Sequence, residues 1–157
     1  SGLANIFNNL INNMDNNGLT LELDNVKESD YSGKRLLLVE DNEINREIAV
    51  EILGMTNIQI EEAHNGSEAV NKFSASEPGY YDIILMDVQM PVMNGYKATT
   101  AIRSLDRQDA RTIPIIAMTA NAFAEDIADS KSAGMDEHLA KPMDVAKLNE
   151  ILKKYLG

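Results

Sequence analysis

The sequence predicts an α/β fold, a doubly wound parallel sheet of five strands with helices on both faces. Three observations predict it. Short apolar runs alternate with segments of helical period along residues 34–157. Three of those runs, LLLV (36–39), DIILM (82–86) and IPIIAM (113–118), carry apolar side chains toward both faces of a strand. That is the pattern of a strand sandwiched between helices. Each run also stops at a polar group: Glu40-Asp41, Asp87 and Thr119. Strands alternating with helices build a parallel sheet with right-handed crossovers.

The elements follow in order. Leu3, Ile6, Phe7, Leu10, Ile11 and Met14 form a one-sided helical stripe, ended by the Asn-Asn-Gly of residues 16–18. So short a helix is marginal alone and needs a surface to dock on. Residues 19–33 read as an acidic connector closed by Ser32-Gly33. The first strand is 36–39, and Ile44, Ile48, Ile52 and Leu53 give a helix over 44–53. A short strand at 58–63 turns at Asn65-Gly66 into a helix over 67–75. The strand at 82–86 leads to a helix over 96–105, and the strand at 113–118 to one over 122–133 that stops at Gly134. A brief strand at 137–140 precedes Lys141-Pro142, and residues 144–156 form the last helix.

Composition narrows the function. At 157 residues the chain fits one ordinary domain with a short segment to spare. We place the boundary at 33–34. Residues 1–33 are an amphipathic helix and acidic linker, with the pattern expected at the end of a preceding domain, and 34–157 are the main domain. Cysteine is absent, which excludes disulfides, zinc–thiolate sites, iron–sulfur clusters and thiol chemistry. A net charge of −11 argues against nucleic-acid binding. No apolar run approaches the roughly 18 residues of a membrane span, and no signal pattern opens the chain, so no membrane contact by this domain and a cytoplasmic location are expected, with a membrane anchor left open for a parent protein.

In open α/β sheets, ligands sit beyond the carboxyl ends of the strands. Here those ends bring three carboxylates (Glu40, Asp41, Asp87), the Thr119 hydroxyl and the Lys141 ammonium to one rim. Two carboxylates about 4 Å apart repel by roughly 4 kcal/mol at an effective dielectric of 20. A raised pKa, a cation or a nearby lysine must compensate. Oxygen-only ligands suit Mg²⁺, which shares phosphate oxygens readily. One carboxylate could act as nucleophile toward phosphorus, with Thr and Lys as donors to the phosphoryl oxygens. Taken singly, an Asp after a strand is usually a cap or turn residue. Asp87, however, stands before Met90-Pro91 and not before a helix.

The segments LLLVEDNEIN, DIILMDVQMPVMNG, PIIAMTA and HLAKP, in that order and at those strand ends, resemble a receiver domain of two-component signalling systems. The resemblance covers residues 34–157. It implies the flavodoxin-like receiver fold with strand order 2-1-3-4-5. It implies that Asp87 accepts a phosphoryl group and that Mg²⁺ (or Mn²⁺) is held by Asp41, Asp87 and the Gln89 backbone carbonyl, with Glu40 acting through water. Thr119 would hydrogen-bond the phosphoryl group, Lys141 would pair with it, and Ala120 would keep the approach open. Pro142 would follow a cis peptide, and Gln89 and Asn121 would tune phosphoryl lifetime. The family's switch position, usually Tyr or Phe, holds His138 here.

The function expected is therefore a phosphorelay switch that takes a phosphoryl group from a histidine kinase or a histidine phosphotransfer domain and catalyses its own phosphorylation and slow dephosphorylation. A Mg²⁺-dependent aspartyl-nucleophile phosphatase is the enzymatic alternative. It lacks support because Gln89 stands where such enzymes place a general acid. A degenerate receiver acting only as a binding module is the third, opposed by the intact set Glu40, Asp41, Asp87, Thr119 and Lys141. VEDNEINREIAVEIL and KPMDVAKLNEIL are most similar to C-terminal receivers of hybrid sensor histidine kinases, so an excised piece of such a kinase is expected as readily as a stand-alone receiver. A dimer could form through the face of the fourth helix, fifth strand and fifth helix of the repeat (122–133, 137–140 and 144–156).

Overall fold

The computed structural model describes residues 16–120, 124–141 and 143–157. The stripe of residues 3–14, Asn121 and Pro142 lie outside the described residues. The chain runs α1 (Asn16–Glu28), β1 (Arg35–Val39), α2 (Glu43–Gly54), β2 (Gln59–Ala63), α3 (Gly66–Ala75), β3 (Ile83–Asp87), α4 (Gly95–Arg103) and α5 (Asp109–Thr112). It continues through β4 (Ile115–Thr119), α6 (Ala124–Ala133), β5 (Glu137–Ala140) and α7 (Val145–Leu156). All four strand pairings are parallel and the order is β2-β1-β3-β4-β5, as expected.

Alternation along each strand divides one sheet into two cores. Leu36, Leu38, Ile83, Leu85, Ile116, Met118 and Leu139 face the side covered by α1, α2 and α7. Leu37, Val39, Ile84, Met86, Ile115 and Ala117 face Ala69 and Phe73 of α3 and Ala98 and Ile102 of α4. A continuous run such as LLLV supplies both cores at once. Asparagines start three of the helices: Asn42, Asn65 and Asn94 each accept a hydrogen bond from the backbone N–H three residues on, at 2.8–3.0 Å. Asp144 does the same for α7.

Two segments depart from the sequence reading. Residues 16–28, expected to end one helix and open an acidic connector, are instead the helix α1, which packs on α7 and α2. Leu23, Val26 and Tyr31 enter the first core, and the Tyr31 N–H donates to Thr56 O at 2.7 Å. Gly18 inside a helix costs about 1 kcal/mol. Burying each of the two aliphatic side chains returns roughly 1.5–3 kcal/mol, so packing wins. The second is α5, a single turn in the stretch left unassigned between the helix at 96–105 and the strand at 113–118, tied to the Phe73 end of α3 by Arg107, which pairs with Asp109 at 2.6 Å and donates to Phe73 O and Ser76 O.

Candidate functional site

Register explains why the polar groups meet. Leu36 pairs with Ile83 and Leu38 with Leu85. The next step on that face, beyond Val39↔Met86, sets Glu40 beside Asp87. Lys141 continues the same alternation two residues past Leu139 on β5. Both acids are 2% exposed. Thr119 ends β4, is buried, and belongs by alternation to the opposite face with Ile115 and Ala117.

The contacts are short. Lys141 Nζ lies 2.9 Å from Asp87 Oδ1, 3.0 Å from Glu40 Oε2 and 3.3 Å from Glu40 Oε1. Asp87 Oδ1 also accepts from the Gln89 N–H at 3.2 Å, so the carboxylate supports its own loop as well as facing the cleft. Asp87 Oδ2 is buried without a hydrogen-bond partner. Glu40, Asp41 and Asp87 each offer an oxygen, and these oxygens lie within 4.8 Å of one another. Asp41 is exposed. It does not cap α2, since Asn42 does.

The electrostatics follow from burial and crowding. Desolvation, with Glu40 alongside, pushes the Asp87 carboxyl up to about 7 against the opposing pull of Lys141. Burial works against charge on Lys141, yet Asp87 and Glu40 outweigh it and hold the ammonium above its ordinary value. An all-oxygen set of three carboxylates, one oxygen buried and unpartnered, fits a small hard cation.

The flanking positions are also in view. Gln89 and Ala120 are exposed at the rim. His138 is not an exposed strand residue: it pairs with Ala117, is half-buried, and has a shielded Nε2 without a partner. Burial lowers its pKa below the usual imidazole value, with Lys131 and Lys147 adding to the shift and Glu137 and a hydrogen bond at the Ile127 backbone opposing it. Glycines hold the loop after Asp87. A Cβ on Gly95 would come within 2.2 Å of Asp87 O, and one on Gly66 within 2.4 Å of Met93 O. The sequence reading missed two polar neighbours. Asn45 Nδ2 donates to Glu40 Oε1 at 2.9 Å, and Arg46 Nη1 donates to the main-chain oxygens of Glu40 and Asp41. Their signal was position, in the first turn of the helix that leaves the site strand.

Comparison with known proteins agrees with this geometry. A family model, the response regulator receiver domain, matches residues 36–153. Hybrid signal transduction histidine kinase G of Dictyostelium discoideum is 41% identical over 123 residues; the match covers 77% of this chain and 4% of that kinase. Among solved structures, the receiver domain of a Pseudomonas aeruginosa sensor histidine kinase, with a magnesium ion coordinated in its active-site cleft, superposes with a TM-score of 0.71 at 38% identity. That superposition covers 80% of this chain and 99% of the other. A Saccharomyces cerevisiae response regulator receiver, crystallised with a histidine phosphotransfer protein, gives 0.70 at 30% identity, covering 78% and 88%. Among the described residues no helix is long and apolar enough to cross a membrane. The family match runs from Leu36 in β1 across all five strands and every strand end discussed above, and the chain belongs to the response regulator receiver domain family of two-component signalling.

Proposed function

We propose that this receiver takes a phosphoryl group from a phosphohistidine onto Asp87, with Mg²⁺ (or Mn²⁺) bound beside it, and changes conformation in response. The state of Asp87 carries the reading. It is a buried carboxylate with one oxygen on Lys141, the other unpartnered, and two further carboxylates beside it. Asp41 and Asp87 would ligate the cation with the Gln89 carbonyl, and Glu40 would act through water. Bound there, the cation offsets the negative charge that otherwise repels an anionic donor.

The chain's own groups do the rest. An Asp87 oxygen attacks phosphorus in line, the P–N bond breaks, its electron pair returns to the donor imidazole, and an acyl phosphate forms on Asp87. Lys141, already paired with Asp87, would pair its ammonium with a phosphoryl oxygen. Thr119, which alternation sets on the other face at the end of β4, would turn its hydroxyl toward the phosphoryl group, and Ala120 presents only a methyl at the entrance. Kinship with a receiver crystallised against a histidine phosphotransfer protein supports such a domain, or a histidine kinase, as donor. Similarity to hybrid kinases supports a parent protein of that kind.

The test is intact-mass measurement after incubation with acetyl phosphate or phosphoramidate. A gain of one phosphoryl group is expected with Mg²⁺, and none after chelation or in Asp87→Asn. A gain that persists in Asp87→Asn overturns the assignment.

A further inference from the structure

Arg46 leaves the first turn of α2 and reaches back over the end of β1. Its Nη1 donates to Glu40 O at 3.0 Å and to Asp41 O at 3.1 Å. Its Nε stands 3.5 Å from Glu62 Oε1 at the end of β2, and the side chain is only 14% exposed. One guanidinium therefore fixes two successive peptide planes and ties them to the neighbouring strand. Asp41 is exposed, so its main chain is what sets the direction of its carboxylate. Asn45, one residue earlier, holds the Glu40 carboxylate through Oε1.

We propose that Arg46 is a positioning residue for the cation site, holding the Glu40-Asp41 backbone so that the acidic pair converges with Asp87. This rests on reading Glu40, Asp41 and Asp87 as a Mg²⁺ site. Two effects of Arg46 oppose each other there. Its positive charge repels a divalent cation, so charge alone predicts that losing Arg46 tightens Mg²⁺ binding. Its clamp organises the ligands, so positioning predicts that losing it weakens binding, as loss of groups supporting metal ligands commonly does. The direct bonds to both carbonyls make positioning the larger effect.

The experiment titrates Mg²⁺ into the 157-residue chain, read by calorimetry and by amide shifts of Asp41 and Gln89. Arg46→Gln is expected to weaken Mg²⁺ binding by about tenfold. Arg46→Lys keeps the charge but has one compact ammonium in place of the fork, and is expected to fall between wild type and Arg46→Gln. It also carries the test if Arg46→Gln does not fold. A merely structural role would lower the melting temperature and leave the Mg²⁺ affinity of the folded chain unchanged. Unchanged or tighter binding in a folded Arg46 variant overturns the proposal. Asp41→Asn, measured in parallel, separates the two readings: wild-type Mg²⁺ affinity in that variant removes the cation site itself.

Discussion

Lys141 serves two buried carboxylates at once, with Nζ 2.9 Å from Asp87 Oδ1 and 3.0 Å from Glu40 Oε2. A single ammonium cannot balance both acids and the adjacent Asp41. Burial first, and the neighbouring Glu40 second, favour a proton on Asp87 and raise its carboxyl to about 7 against the pull of Lys141.

That proton makes stability depend on pH. Between the unfolded value of about 3.9 and the folded value of about 7, the native state binds a proton that the unfolded chain has released. Stability from this group is therefore full at low pH and is lost as pH rises through that window. Thermal unfolding in chelator should show it directly, with the contribution of Asp87 smaller at pH 8 than at pH 5.5. Asp87→Asn should remove this slope and melt higher than wild type at pH 8. Added Mg²⁺ should raise the wild-type melting temperature more at pH 8 than at pH 5.5, because at the lower pH it must displace the proton. Equal protection at both pH values would contradict this account.

The second prediction concerns α1. Val26 is fully buried and Leu23 nearly so, in the core shared with α2 and α7. Val26→Ala removes about two methylene equivalents and should cost about 1.6 kcal/mol plus a cavity contribution, read as a lower denaturation midpoint at unchanged slope. Deleting residues 1–30 should destabilise the domain further while leaving one phosphoryl group accepted at Asp87. A deletion that leaves stability untouched would mean that α1 contributes nothing to the fold.

What the sequence disclosed follows from which forces are local. LLLV, DIILM and IPIIAM announce strands buried on both faces because apolar periodicity is written residue by residue. The strand ends disclosed the acidic rim for the same reason, since parallel register carries Glu40, Asp87 and Lys141 to one edge once the strands are placed. Residues 16–28 were misread because Asn-Asn-Gly is a local stop signal, whereas Leu23 and Val26 are stabilised by α7, more than a hundred residues away. Arg46 was invisible for a related reason. On a helix surface it reads as a solvated cation, and only the turn after β1 brings two carbonyls within its reach.

The last prediction concerns His138. Paired with Ala117 on β4, its ring is half-buried near the Ile127 backbone of α6, with Nε2 shielded and unpartnered. Burial lowers its pKa, and the Lys131 and Lys147 charges act in the same direction, while Glu137 and the Ile127 backbone oppose them. A base whose folded pKa is depressed binds its proton more readily when unfolded. The stability it contributes is therefore present above about 6.5, the ordinary imidazole value, and is lost as pH falls below it. An NMR titration of the ring should find its midpoint below the ordinary imidazole value of about 6.5. Replacing it by Phe keeps an aromatic ring and removes the proton site, so His138→Phe should flatten the loss of stability between pH 6.5 and pH 5. If beryllofluoride draws the ring further inward, desolvation should lower the midpoint again. A midpoint at the ordinary imidazole value, unmoved by beryllofluoride, would leave His138 as a packing residue with no part in the switch.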